Sequence, residues 1–201
     1  MKIARFHFDR DLRALLQRAH TDGAFEYAFN GPQSAKHLIE SAGIPHTEIG
    51  GIRANSLAVS AAYLVQDGDR VDVSGHEPGQ GPDTEPRFVI DGHLGRLNAR
   101  LRMLGLDCLY EPGYTDEQLV LISVEEGRTV LTRDRRLLMQ KAVTLGYLVR
   151  SLEPDEQIRQ VVRRFDLARW IRPFQRCLRC NHLLQPVSKA EVIDRLEPLT
   201  K

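Results

Sequence analysis

The stretch Phe88-Val89-Ile90-Asp91-Gly92-His93-Leu94-Gly95-Arg96-Leu97 decides how the larger part of this chain folds. Its first three residues are an apolar run that reads as a short strand, and Asp91-Gly92 ends it. Leu94, Leu97, Leu101 and Leu104 follow at spacings of three, four and three, the mark of an amphipathic helix, and Gly105 stops it. Leu106–Tyr110 reads as a second strand. Thr115 with Gln118 makes a capping-box pattern for a helix over 116–126. Thr129–Thr132 is a third strand, Asp134 precedes a helical stretch over 135–143, and Tyr147–Val149 is a fourth strand. Ile158, Val161, Val162 and Phe165 mark the buried face of a last helix. Strands and helices in this alternation predict an α/β domain with a parallel sheet wrapped by helices.

Upstream lies Ser74-Gly-His-Glu-Pro-Gly-Gln-Gly-Pro-Asp-Thr-Glu-Pro86, in which six of 13 residues are Gly or Pro and none is apolar enough to bury. It reads as a tether. Before it, residues 3–8 and 25–29 alternate as strands, Ser34 caps a short helix that ends at Gly43, and Ala58–Tyr63 and Val71–Val73 add strands around a turn at Asp67-Gly68-Asp69. Strands, a helix and further strands within 80 residues predict an α+β β-grasp domain. The expected organisation is a β-grasp domain at 1–74, a linker at 75–86, an α/β domain at 87–172 and a cysteine-bearing segment at 173–201.

The chain has 201 residues, 42% hydrophobic and 27% charged. That composition excludes a disordered chain, and no stretch approaches the ~20 apolar residues of a membrane span. Residues 1–20 carry five Lys/Arg with Asp9 and Asp11 and no apolar stretch, so no secretory signal is read there. Three cysteines are too few for a disulfide framework, and a reducing cytoplasm is the expected compartment. Net charge is +1, yet residues 159–179 hold seven arginines (Arg159, Arg163, Arg164, Arg169, Arg172, Arg176, Arg179) against Asp166. Such a run suits a polyanion partner, or is a solvated helix face.

Asp91 closes the first strand of the α/β part, Asp134 follows the third, and Asp116 opens the helix after the second. Ligands of open α/β sheets bind outside the carboxyl ends of the strands, so the three carboxylates are expected around one crevice. Clustered carboxylates repel unless a cation neutralises them, and all-oxygen sites suit Mg²⁺ or Mn²⁺. Each aspartate also reads as an ordinary helix N-terminal residue. Cys177-Leu-Arg-Cys180 is a CxxC, half of a four-ligand zinc set. Cys108, in an apolar run, reads as a buried thiol.

The blocks 88–97, Leu101-Arg102-Met103-Leu104-Gly105-Leu106-Asp107, Thr115-Asp116-Glu117-Gln118-Leu119 and Gly127-Arg128-Thr129-Val130-Leu131-Thr132-Arg133-Asp134-Arg135 resemble, in that order, the Mut-seven C-terminal RNase domain over residues 87–187. The N-terminal part, with Leu64-Val65-Gln66-Asp67-Gly68-Asp69-Arg70-Val71, resembles the ubiquitin-like domain that precedes this RNase domain in many bacterial members. The resemblance implies a PIN-like fold and metal-dependent hydrolysis of RNA. It makes Asp91, Asp116 and Asp134 catalytic, metal-binding acids for Mg²⁺ or Mn²⁺, and makes Cys177 and Cys180 the opening of a zinc ribbon, with Zn²⁺ its ion. Arg133 and Arg135 flank an acid, Arg96 lies one turn beyond Asp91, and Arg159, Arg163 and Arg164 sit opposite an apolar face; all six are expected RNA contacts. Asp107 is a candidate fourth acid, with a structural role the simpler reading. The β-grasp domain is expected to bind a protein partner. Carrier chemistry is disfavoured, because a terminal Gly-Gly is replaced by Ser74-Gly75-His76 and a following domain. The alternative to a nuclease is an RNA-binding adaptor that does not cut.

Overall fold

A computed structural model describes residues 1–16, 23–77, 79 and 82–197. Of the expected linker, residues 78, 80 and 81 lie outside the described residues, as do the last four of the cysteine-bearing segment.

The first unit is a five-stranded sheet built from β1 (Lys2–Phe8), β2 (Ala24–Phe29), β3 (Ile49–Ala54), β4 (Leu57–Ala58) and β5 (Arg70–Gly75), in the order β2-β1-β5-β3-β4. β1 and β5 run parallel while their neighbours are antiparallel, which is the β-grasp arrangement. Ala4, Phe6 and Phe8 point inward at alternate positions, and Phe8 stacks on Phe25 with centroids 5.7 Å apart. A short α1 (Arg10–Arg13) follows β1, capped by Asp9. The helix α2 (Ala35–Ser41) is capped by Ser34, whose hydroxyl accepts the His37 N–H at 3.2 Å. Just beyond it, Gly43 takes a left-handed φ of 102°.

The expected strand over Ala58–Tyr63 is largely absent. The strand instead precedes it as Ile49–Ala54, with Leu57–Ala58 returning beside it. Asn55 and Ser56 both have positive φ and make the tight turn between them. Gly50 and Gly51 obscure the strand pattern, and Gly50 is required there because a Cβ would come within 2.2 Å of the Gly75 carbonyl oxygen. Gly75 is no free tail: it closes β5, and its N–H donates to Asp9 at 2.6 Å.

The second unit is a parallel sheet of β6 (Phe88–Ile90), β7 (Cys108–Tyr110), β8 (Thr129–Thr132) and β9 (Gly146–Leu148), in the order β7-β6-β8-β9. The helices α3 (Gly95–Met103), α4 (Asp116–Glu126), α5 (Arg135–Met139) and α6 (Pro154–Arg164) connect or follow the strands. Thr115 caps α4 with the reciprocal Gln118 bond, as the sequence predicts. α5 stops at Met139, short of the expected Val143. Strand side chains alternate between two apolar clusters: Phe88, Ile90, Leu131 and Tyr147 pack on one face, Val89, Val130 and Leu148 on the other. Burial on both faces is why these strands are uninterrupted apolar runs.

The second of those clusters continues into the β-grasp unit and includes Phe6, Ile39, Ile44 and Val71. The two units therefore share a core. Polar bonds cross the same junction: Glu48 accepts the Leu148 N–H at 2.8 Å, His46 meets the Val143 carbonyl at 2.7 Å, and Arg135 donates to the Leu15 carbonyl at 2.6 Å. A short α7 (Lys189–Val192) lies near the end of the described chain. Among the described residues no helix is long and apolar enough to cross a membrane.

Candidate active site

The carboxyl ends of the two central strands, β6 and β8, bring Asp91 and Asp134 to one edge of the sheet. Asp91 follows Ile90, and its backbone N–H still pairs with Leu131 of β8 at 3.0 Å. One carboxylate oxygen accepts the His93 N–H at 3.3 Å, capping a single 3₁₀ turn over Gly92–Leu94. The other accepts the Thr132 hydroxyl at 2.6 Å. That hydroxyl in turn accepts the Asp134 N–H at 2.9 Å, and Asp134 caps α5 by accepting the Arg136 N–H at 2.7 Å. Both acids are helix-capping residues, and capping fixes one oxygen of Asp134 and orients both side chains.

Asp116, first residue of α4, completes the edge. Its pKa is raised by desolvation first, then by the negative charges of Asp134, Asp91 and Glu117. The charges of Asp134 and Asp91 thus reach Asp116, as does that of Glu117, an acid to which the sequence reading gave no role. Among the described residues, however, no set of three or more Asp, Glu, His or Cys side chains is gathered closely enough to ligate one ion. Asp91 and Asp134 offer carboxylate oxygens, the donor type of a hard cation that keeps several waters, and fewer of them than a closed protein cage needs.

The glycines of the opening motif are demanded by this edge. A Cβ on Gly92 would come within 2.6 Å of the Pro112 carbonyl oxygen, and one on Gly95 within 2.6 Å of the Tyr110 hydroxyl. Tyr110 uses that hydroxyl to donate to the Gly92 carbonyl at 3.0 Å, locking the end of β7 against the turn that carries Asp91. Thr132 escaped sequence reasoning. Its signal was a threonine, now fully buried, closing an otherwise apolar strand two residues before an acid.

Asp107 belongs elsewhere. It precedes β7 and so stands at the amino edge of the sheet, opposite the other acids. It accepts from Arg128 at 2.7 Å and from the Asn181 amide at 2.8 Å, with Arg176 at 3.5 Å. Burial works to raise its pKa, but the Arg128 and Asn181 bonds and the charges of Arg128 and Arg176 outweigh it and hold it low. Its role is structural, as the simpler reading had it.

The basic residues divide. Arg96 and Arg133 are exposed and form no ion pair among the described residues. Arg135 is committed to Leu15 of the β-grasp unit. The arginine run does not form one stripe: Arg169 bonds Pro82, Arg172 faces Glu85 and Arg176 holds Asp107. Arg159, Arg163 and Arg164 line a cavity at the junction of the two units, and none of the three aspartates lines it.

Cys177 and Cys180 are free thiols in a tight turn closed by the Asn181 N–H to the Cys177 carbonyl at 2.9 Å, with Asn181 at a φ of 65°. Backbone N–H groups of Cys180 and Arg179 and the Cys180 side chain lower the Cys177 pKa, which favours thiolate. The turn is shaped to present sulfur, but supplies two donors where structural zinc takes four. Cys108 is buried, and burial pushes its thiol up, as an inert core cysteine requires.

The chain thus joins a β-grasp unit to a four-stranded parallel α/β sheet whose carboxyl edge is acidic. Residues 86–201 match the Mut7-C RNAse domain family and residues 1–78 match the Mut7-C ubiquitin family; the chain belongs to the Mut7-C RNAse domain family. Two solved structures are similar to part of the chain. Small archaeal modifier protein 1 of H. volcanii is 11% identical over 38% of this chain and 100% of its own, with a TM-score of 0.31. A putative molybdopterin converting factor, subunit 1, from Pyrococcus furiosus is 16% identical over the same shares, also at 0.31. No curated protein matches the chain.

Proposed function

We propose that this protein is a cytoplasmic, PIN-like ribonuclease that hydrolyses RNA phosphodiester bonds with a divalent ion, Mg²⁺ or Mn²⁺, held by Asp91, Asp116 and Asp134. The observation that carries this reading is the Thr132 bridge that sets the carboxylates of Asp91 and Asp134 together at the carboxyl edge of the sheet, with Asp116 near enough to feel their charge. An RNA-binding surface gains nothing from concentrating negative charge where phosphate must approach, whereas an ion-holding edge needs it. A bound ion would polarise the scissile phosphate and supply a water of lowered pKa.

The chain's own residues do the positioning. Thr132 fixes one oxygen of Asp91 and the backbone entry to Asp134, so two acids keep their geometry when the substrate arrives. Asp116 stays exposed and free to turn towards the ion. Arg96 and Arg133, unpaired among the described residues, are the guanidiniums available to phosphate oxygens beside these acids. Cys177 and Cys180 would give half the ligands of a structural zinc, and the β-grasp unit would offer its outer surface to a protein partner.

The test is cleavage of labelled single-stranded and structured RNA with Mn²⁺ or Mg²⁺, comparing the wild type, Asp91→Asn and a chelated control. Cutting is expected in the wild type alone. Cutting that survives Asp91→Asn sinks the assignment of the site. Binding of RNA by the wild type without cutting gives the lead to the adaptor reading.

A further inference from the structure

Where β9 and α6 meet α1 and the end of β5, the two units enclose a cavity of about 530 Å³. It lies beyond the edge strand β9, whereas Asp91 and Asp134 follow the central strands. Four arginines line it: Arg150, Arg159, Arg163 and Arg164. Two are neutralised internally, Arg150 by Glu48 at 3.1 Å and Arg159 by Glu156 at 2.8 Å. Arg163 and Arg164 have no ion-pair partner among the described residues, and the free acid on the lining, Asp11, is exposed.

Arg164 is the informative residue. Its guanidinium lies 4.8 Å from the centre of the Phe165 ring and is partly withdrawn from water; desolvation lowers its pKa, only partly opposed by Glu48 and Tyr147. Glu48, the buried acid nearest in effect, is already engaged by Arg150 at 3.1 Å and offsets the Arg164 charge only in part, so an anion entering the cavity would complete its neutralisation. From the β-grasp side, Gly75 and His76 face the same space. His76 is bonded to the Thr47 carbonyl at 3.0 Å, and its pKa is lowered by burial and by Arg164, so it contributes a neutral ring.

We infer that this cavity is a binding site for a phosphomonoester carried on a nucleoside-sized body, with Arg163 and Arg164 holding the phosphate. Paired guanidiniums match phosphate oxygens in bidentate geometry. The volume exceeds what a bare phosphate fills and falls in the range of small-molecule sites. The apolar wall of Leu12, Val162 and the Tyr147 ring gives the remainder of the ligand a surface to cover. The ligand is either a free nucleotide or the phosphorylated end of an RNA strand. Because its walls come from both units, binding would tighten their junction.

The site does not depend on the acid edge, so the experiment uses the full chain carrying Asp91→Asn, which cannot consume RNA under the proposed function. Calorimetric titrations compare adenosine monophosphate, inorganic phosphate, and a tetranucleotide bearing either a 5′-phosphate or a 5′-hydroxyl. Adenosine monophosphate is expected to bind, with a rise in melting temperature. Arg163→Gln, at an exposed position, is expected to weaken binding tenfold or more with the fold intact, and Arg164→Gln to abolish it. Preference for the 5′-phosphate tetranucleotide over the 5′-hydroxyl one identifies an RNA end as the source; binding by the mononucleotide alone identifies a free nucleotide. No binding by any probe, equal binding of both tetranucleotides, inorganic phosphate binding as tightly as the nucleotide, or affinity unchanged in Arg163→Gln overturns the inference.

Discussion

The hydroxyl of Thr132 donates to Asp91 at 2.6 Å while accepting the N–H of Asp134 at 2.9 Å, so one buried threonine on β8 sets the geometry of acids on two strands. Such partners of ion-holding carboxylates typically contribute 10–100-fold to activity. Thr132→Val keeps the volume and removes both bonds. The expected outcome is a loss of RNA cleavage of about 10–100-fold. The folded state persists, and the requirement for Mg²⁺ or Mn²⁺ rises. Full activity in Thr132→Val means the acids do not depend on that bridge.

Asp116 carries a destabilising charge at neutral pH. Its folded pKa is raised above the unfolded value by desolvation and by its acidic neighbours, so the folded chain holds that proton longer than the unfolded one. Stability therefore falls as pH rises from the unfolded value of 3.8 through the folded one. Asp116→Asn removes this repulsion: melting temperature at pH 7 without divalent ions is expected to equal or exceed the wild type's, while cleavage is lost. Adding Mn²⁺ should raise the melting temperature of the wild type and leave the variant nearly unmoved.

The α/β half was legible because its signals are local. A capping box, a strand of three apolar residues and a leucine period each need only a few neighbours to be read, and 116–126 and 129–132 emerged with the bounds the structure has. The β-grasp was legible in outline, but β3 was missed because Gly50 and Gly51 stand where side chains should alternate. Topology alone predicts that Asp91 and Asp134 end neighbouring strands, and the structure has them following β6 and β8. What the sequence hides is long-range: Thr132 acts on a residue 41 positions away, and the arginine run is dispersed by partners such as Pro82 and Asp107. The Gly/Pro-rich stretch read as a tether, yet the units it joins share a core, since flexibility of a connection says nothing of what the connected surfaces do.

Asp107 anchors the cysteine-bearing segment to the sheet through Arg176 and Asn181 and neutralises Arg128, whose side chain is only 7% exposed. Asp107→Asn is expected to cost about 1–3 kcal/mol at pH 7, because it removes the carboxylate that Arg128 and Arg176 share and leaves Arg128 with Glu126 as its remaining acid. The pH dependence has a definite sign. A folded pKa below 3.8 means the contribution is complete above that value and is lost as pH falls through the folded one. Acid unfolding monitored below pH 4 should accordingly be less steep in the variant than in the wild type.

The last prediction concerns the junction. Glu48, 4% exposed, sits in a 3₁₀ turn of the β-grasp unit, accepts the Leu148 N–H at 2.8 Å and pairs with Arg150 at 3.1 Å. Burial, the largest influence, raises its pKa against the Leu148 bond and the Arg150 charge. Arg150 also donates to the Asp11 carbonyl at 2.7 Å, so one pair ties the edge strand of the parallel sheet to two segments of the other unit. These bonds ring an apolar cluster to which both units contribute. Units joined in this way unfold together rather than as beads on a tether. A single thermal transition is expected, and proteolytic nicking within Ser74–Pro86 should leave the fragments co-eluting on size exclusion. Glu48→Ala orphans the Leu148 N–H and frees Arg150, at an expected cost of about 1–3 kcal/mol. Glu48→Gln, which keeps an acceptor for Leu148, should cost less. Two separate transitions in the wild type, or nicked fragments that part freely, would show that the shared core carries too little free energy to couple the units.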